Sequence, residues 1–272
     1  MKLSKIYEIA NEIAPKALSD EYCKSYGAYD NSGLLVEACE EVNGVVFSLD
    51  LTDGAIDKAL EMGAELIIAH HPMIYGKIDH ICQSDETLLG GKLVRCIQNG
   101  ISVICMHLNL DVAKDGIDDC LMEGVCRCAG ERKGVGTRSM QIMHPVCDSG
   151  YGKAYNVPEI SLGVLADNIG KEFSTKRIAL YGDENRKIAR IASFCGAGAD
   201  ENSIAYAKRM GADVVISSDF KHHLLLKAVE LDMAVIVLTH YASENYGFKN
   251  YYEKIRRQIE IPCVYHVEDK LL

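Results

Sequence analysis

Apolar residues recur at helical spacing from Leu3 to Ile13, interrupted by Glu8, Asn11 and Glu12 and stopped at Pro15, which predicts an amphipathic opening helix. A polar stretch leads to the turn Tyr29-Asp30-Asn31-Ser32-Gly33-Leu34. From Val42 the pattern becomes regular. Val42 to Leu49 is a short β-branched run ending at Asp50, Thr52 to Met62 is helical with Gly63 as its stop, and Glu65 to Ala69 is a strand running into His70 and His71. A helix from Thr87 to Gln98, a stop at Gly100 and a strand from Ile101 to Met106 continue the alternation, and the last strand runs out into His107 and Asp111.

The plan then recurs. Ile188 to Phe194 reads as a strand and Glu201 to Met210 as a helix, and Met210-Gly211-Ala212-Asp213-Val214-Val215-Ile216 matches Met62-Gly63-Ala64-Glu65-Leu66-Ile67-Ile68 closely. A helix from Leu224 to Leu231 and a strand from Ala234 to Leu238 follow, and again a histidine has a carboxylate four residues on: His240 and Glu244, as with His107 and Asp111. A helix from Asn250 to Glu260 and a strand from Cys263 to His266 close the chain. The expected fold class is α/β, with two pseudo-repeated βα half-domains over 1–125 and 177–272 facing each other across a cleft. Residues 126–176, rich in glycine (Gly130, Gly134, Gly136, Gly150, Gly152) and weak in periodicity, read as a connecting segment with some strands.

Composition narrows the function. At 272 residues, 48% hydrophobic and 25% charged, the chain can bury a sizeable core. Its 39 acidic and 29 basic residues give a net charge of −10, which argues against general nucleic-acid binding and means that an anionic substrate would need a local positive offset, such as divalent cations. The eleven cysteines are scattered and lie mostly in apolar runs, as buried thiols do, and Cys120, Cys126 and Cys128 lack the spacing of a zinc knuckle. The first residues lack the unbroken apolar core of a signal peptide and no 18-residue apolar run occurs, so a soluble cytoplasmic protein without membrane contact is expected.

Histidines and carboxylates at strand ends suit a divalent ion of borderline hardness, because α/β sheets open their ligand crevices there and hold side chains rigidly. Strand alternation would point His70 and His71 to opposite sides, so they are expected to serve one ion each. Asp111 or Glu244 could bridge two ions, and His240 and Glu244 share one helical face. Such a pair of ions lowers the pKa of a shared water toward neutrality, which makes hydrolysis the expected chemistry.

Asp30-Asn31-Ser32-Gly33-Leu34, His70-His71-Pro72, the run from His107 to Asp111, Gly196-Ala197-Gly198, the run from Ser218 to His223, and His240-Tyr241-Ala242-Ser243-Glu244 occur in an order that resembles the GTP cyclohydrolase I type 2 family, also known as the Ngg-interacting-factor-like dinuclear metal proteins. The motifs cover both halves and are highly specific together. The resemblance implies a toroidal homohexamer with dinuclear sites facing its cavity, and a ligand set matching His70, His71, Asp111, His240 and Glu244. It implies two divalent ions per subunit, with zinc, iron, manganese and nickel equally compatible. Longer relatives carry an inserted domain for which 126–176 is too short, so this looks like the compact form. Tyr29 stands where a tryptophan is frequent, Leu35 and Val36 continue a slightly altered turn, and Ser217-Ser218 replace the usual Thr-Gly before Asp219. No ligand is lost by these departures, which bear on substrate shape.

The expected function is therefore a dinuclear metal-dependent hydrolase-like protein acting on a nucleotide or related small molecule. A non-catalytic metal-binding, delivery or regulatory scaffold is the competing class. His223 is the candidate general acid or base toward a leaving group. His107 is expected to orient a ligand rather than bind metal. Lys221 could meet a phosphate or simply be solvated, Asn109 and Asp50 lie at strand ends where they could hydrogen-bond substrate or metal ligands although turn chemistry explains both, and His80, His144, His222 and His266 are assigned no role.

Overall fold

A computed structural model describes residues 1–84, 88–130 and 140–271. The expected helix start at Thr87, and Gly134 and Gly136 of the expected connecting segment, lie outside these residues. The chain forms two compact units: Met1–Ala113 with Phe248–Glu268, and Lys114–Gly247 with the terminal residues from Asp269.

The first unit opens with α1 (Leu3–Ile13), which buries Leu3, Ile6, Ile9 and Ala10, and α2 (Lys16–Tyr26), which ends on Gly27 in the left-handed region. Then come β1 (Gly33–Val36), β2 (Val45–Ser48), α3 (Asp53–Met62), β3 (Leu66–Ala69), α4 (Leu89–Gln98), β4 (Ser102–Cys105) and the short α5 (Leu108–Val112). The chain returns to this unit as β11 (Cys263–His266), giving the order β1-β4-β3-β2-β11, parallel except for β1. Strands β2, β3 and β4 are buried at every position, which is why their sequence is continuously apolar rather than alternating.

The second unit contains α6 (Ile117–Cys128), β5 (Gln141–Val146), β6 (Ser149–Ser161), α7 (Leu162–Glu172), β7 (Ala179–Tyr181), β8 (Lys187–Ser193), α8 (Glu201–Arg209), β9 (Val214–Ser217), α9 (His222–Glu230) and β10 (Ala234–Val237). Its sheet order is β5-β6-β8-β9-β10-β7, with β8, β9 and β10 parallel and the rest antiparallel. The last helix, α10 (His240–Ile255), starts ten residues before the expected Asn250, because the Thr239 hydroxyl accepts from the Ala242 N–H and caps it. The division between the units falls within α10.

The matched sequence segments form the same local structure. Thr52 caps α3 through the Ala55 N–H, Asp200 caps α8 through the Ser203 N–H, and both helices end on a left-handed glycine, Gly63 (φ 64°) and Gly211 (φ 68°). Ala64 and Ala212 then donate back to the carbonyls of Ala59 and Ala207 at 2.8 and 3.0 Å. The order β–α–β–α–β is common to β2 through β4 and β8 through β10.

Two boundaries differ from expectation. Residues 140–172 are not a connection: β5, β6 and α7 belong to the second unit, and the 13-residue β6 pairs along β8. Their pattern is weak because β6 buries Lys153 and Tyr155 completely, placing polar groups where a core strand would be apolar. The C-terminal residues join the first unit, because β11 pairs with β2 from Cys263–Val45 to His266–Ser48. No described helix is long and apolar enough to cross a membrane.

Candidate metal centre

In the first unit the parallel register aligns Ser48, Ala69 and Cys105, so the residues following β2, β3 and β4 leave the sheet at one edge. These are Asp50, the pair His70 and His71, and His107. The expected opposition of His70 and His71 does not hold, because the backbone bends after Ala69. Both histidine N–H groups donate to the Leu49 carbonyl at 3.0 Å, and the two rings lie 4.8 Å apart. His70, His71 and His107 each offer a ring nitrogen within 4.8 Å of the other two.

Each ring is held through its other face. His70 Nδ1 lies 2.6 Å from the Met106 carbonyl, His71 Nδ1 2.7 Å from Asp50 Oδ1, and His107 Nδ1 2.7 Å from Asp30 Oδ1. A carbonyl oxygen cannot donate, so the His70 Nδ1 carries the proton and its Nε2 keeps a lone pair when the ring is neutral. Asp30 also accepts from the Ser19 and Ser32 hydroxyls, at 2.5 Å each. Burial alone would raise its carboxyl, but the hydrogen bonds from His107, Ser19 and Ser32 outweigh burial and hold it well below the usual carboxylate range. Burial would likewise lower His107, yet the Asp30 hydrogen bond and the Asp111 charge leave it raised.

Asp111 is brought in by α5 rather than by an extended strand exit. His107 stands at the helix entry, so the four-residue offset is one helical turn, and the buried Asp111 carboxylate lies 3.5 Å from His70 Nε2. Beside it, Cys105 donates its thiol proton to the His70 carbonyl at 2.9 Å, and burial pushes that thiol well up. Three imidazoles and a carboxylate are a donor set that fits a borderline divalent ion.

The second unit repeats the logic at the ends of β8, β9 and β10. His240 opens α10, its Nδ1 2.6 Å from Asp219 Oδ2 and its Nε2 3.0 Å from Glu244 Oε2. Asp219 adopts a left-handed φ of 53° just after β9. The Glu244 carboxylate, almost wholly buried, faces Gly196, which follows β8. Around them, Ser243 Oγ donates to the His240 carbonyl at 2.8 Å and accepts from the Gly196 N–H and the Ser218 hydroxyl at 3.2 Å each.

Of the residues predicted from sequence, His70, His71 and Asp111 come together in the first unit, and His240 and Glu244 in the second. His107, for which an orienting role was favoured over that of a sixth ligand, stands among the potential ligands. His223 lies in the first turn of α9, mostly exposed and 3.8 Å from Glu201; neither it nor His222 enters a potential ligand cluster among the described residues. Asn109 is structural, donating to the Ala14 carbonyl at 2.6 Å, and Lys221 precedes α9 in an exposed position. Of the three orienting carboxylates, Asp50 was considered as a hydrogen-bond partner of substrate or metal ligands but was adequately explained by turn chemistry, and Asp30 and Asp219 were not singled out for this role. Their signal was weak: an aspartate at a turn or just past a strand, and turn chemistry explains that equally well.

Over residues 1–269 the sequence matches the profile of the family described as Duf34/NIF3 (NGG1p interacting factor 3). A protein of Clostridium perfringens named GTP cyclohydrolase 1 type 2 homolog is 31% identical over 96% of this chain and 93% of its own length. A namesake from Methanocaldococcus jannaschii is 26% identical over 97% and 98%. Among solved structures, reduced HcgD from Methanocaldococcus jannaschii superposes with a TM-score of 0.77 at 26% identity, covering 97% of each chain. The Bacillus cereus protein related to NIF3 gives 0.77 at 20% identity over 98% and 96%, and speaks to the fold alone. These similarities agree with the resemblance carried by the sequence motifs.

Proposed function

The chain belongs to the Duf34/NIF3 family, and from that premise we propose that it is a dinuclear metal-dependent hydrolase-like protein acting on a nucleotide or related small molecule. Two divalent cations are held by His70, His71, Asp111, His240 and Glu244, with His107 added to the set. The observation that carries this reading is the shared arrangement of four histidines, His70, His71, His107 and His240, each with Nδ1 engaged by a carbonyl or carboxylate, while the Nε2 of His70 and of His240 stands beside a proposed carboxylate ligand, Asp111 at 3.5 Å and Glu244 at 3.0 Å. When bound, such ions supply Lewis acidity and make water a usable nucleophile near neutral pH.

The chain's own residues do the rest. Asp30, Asp50 and Asp219 fix ring orientation and keep the histidine protons at Nδ1. Asp111 and Glu244 are acceptors whose negative charge two cations would offset. His223 would move a proton to or from a leaving group. The β–α–β–α–β order common to the two units supports reading them as copies of one plan. A homohexameric toroid and a cytoplasmic setting complete the proposal. The name shared by the relatives supports a small nucleotide-like substrate.

The test is metal analysis of the purified protein, followed by a nucleotide and phosphoester panel with added zinc, iron, manganese or nickel. Turnover that disappears in His70→Ala and Glu244→Ala is the expected result. Metal retained with no turnover on any substrate would replace the hydrolase with the scaffold reading, and a protein that binds no metal would end both.

A further inference from the structure

Two exposed tyrosines flank the histidine cluster of the first unit. Tyr29 directly precedes Asp30, which holds His107, and Tyr75 follows His71 by four residues. Their exposures are 53% and 62%, whereas Tyr22, Tyr155 and Tyr251 are buried, so Tyr29 and Tyr75 are not core residues.

Both are nevertheless held in place. The rings meet edge to face, with centroids 5.1 Å apart and planes at 89°. The Tyr75 hydroxyl donates to the Tyr29 carbonyl at 3.1 Å, and Asn31 Nδ2 donates to the Ile74 carbonyl at 2.7 Å. These bonds tie the loop that carries Asp30 to the loop that leaves His71. An edge-to-face pair covers one ring face and leaves the others open, and a ring already ordered in water loses little freedom when a flat ligand settles on it. Hydrogen bonds thus order an apolar surface at the cluster's flank without burying it.

We propose that Tyr29 and Tyr75 form an aromatic shelf that stacks a planar heteroaromatic ring, so that the ligand of the metal centre carries such a ring. The proposal rests on the metal-centre reading and deepens it: the shelf holds the ring while a polar substituent extends toward His71 and His107.

The test uses the full chain, metal-loaded and chelator-treated, titrated calorimetrically with guanosine, with adenosine and with ribose 5-phosphate as a ring-free control. Stacking on an aromatic side chain is strong enough that Tyr29→Leu and Tyr75→Leu should each weaken nucleoside binding about tenfold. Tyr29→Phe should keep wild-type affinity, Tyr75→Phe, which keeps the ring but loses the bond to the Tyr29 carbonyl, should fall between wild type and Tyr75→Leu, and all four variants should keep wild-type metal content. The shelf is overturned if metal-loaded wild type binds neither nucleoside, if the Leu variants bind as wild type does, or if ribose 5-phosphate binds as tightly as the nucleosides. Failure of the metal reading is separate: a wild type without metal that still binds nucleosides, and loses them in the Leu variants, would support the shelf while removing the metal centre.

Discussion

Gly196 faces Glu244 so closely that a β-carbon on it would stand 2.0 Å from the Glu244 Oε1 and 3.2 Å from the His240 Nε2. The glycine also sits at φ 55°, in the left-handed region, so both space and backbone conformation require it. Its carbonyl accepts from the Ser218 N–H at 3.2 Å and its own N–H donates to Ser243 Oγ, which ties the turn to α10. Gly196→Ala should therefore displace the Glu244 carboxylate as well as strain the turn. The expected outcome is a stability loss of about 1 kcal/mol or more together with a fall in bound metal, read by thermal melting and by metal analysis. Wild-type metal content in this variant would mean that Glu244 is not a ligand.

The carboxylates behind the histidines should matter to metal affinity without touching metal. Asp50→Ala and Asp219→Ala free the Nδ1 sides of His71 and His240, and loss of such a partner typically weakens metal binding by roughly 10- to 100-fold. A competition titration against a chromophoric chelator reads this directly. Changing Asp53, which pairs with Arg95 on the surface, is the matched control and should leave the affinity unchanged.

Asp30 should leave a signature in acid. Its folded-state pKa lies below the ordinary value of about 3.9, although burial opposes the shift, because His107, Ser19 and Ser32 bond to the ionised form. The stability it contributes is fully present above the unfolded value and is lost as pH falls through the depressed folded one. In chelator-treated protein the Tm difference between wild type and Asp30→Asn should thus be largest between about pH 4 and about pH 6.5, shrink below that window as Asp30 takes up a proton, and shrink above it as His107, which Asp30 holds raised, loses its own. A difference that stays constant into strong acid would contradict the depressed pKa.

The second unit holds a buried ion network whose loss should be severe. Lys153, fully buried, donates to Asp118 Oδ2 at 2.7 Å and to the Gly150 carbonyl at 2.8 Å, and lies 2.9 Å from Asp119 Oδ1. Burial works against its charge, yet Asp118 and Asp119 keep its pKa raised. Asp118 also accepts from the Gly152 and Cys195 N–H groups, and Cys195 leads into Gly196. Lys153→Met should cost about 3 to 5 kcal/mol by leaving carboxylates buried without their cation, while Lys5→Met, at an exposed pair, should stay within about 1 kcal/mol. Denaturant melts of both variants give the comparison.

Much of this protein was legible from sequence because the signals were local. Buried parallel strands are continuously apolar, the Met-Gly-Ala turn recurs because only a left-handed glycine closes α3 and α8 in that way, and strand ends mark where ligands belong in an α/β fold. That reasoning singled out His70, His71, Asp111, His240 and Glu244 as candidate ligands without any contact being known.

Contacts between distant residues were decided by the tertiary structure. The bend that turns His70 and His71 toward each other depends on the carbonyl of Leu49, just past the end of the neighbouring β2, and Asp30 reaches His107 across 77 residues. Lys153 lies within β6 as a charge that looks misplaced until Asp118 and Asp119 arrive from α6. A local pattern records which face of a segment is apolar, because burial acts on each side chain separately. Hydrogen-bond partners depend on strand register and on where the backbone bends, and both are set by the packed sheet as a whole.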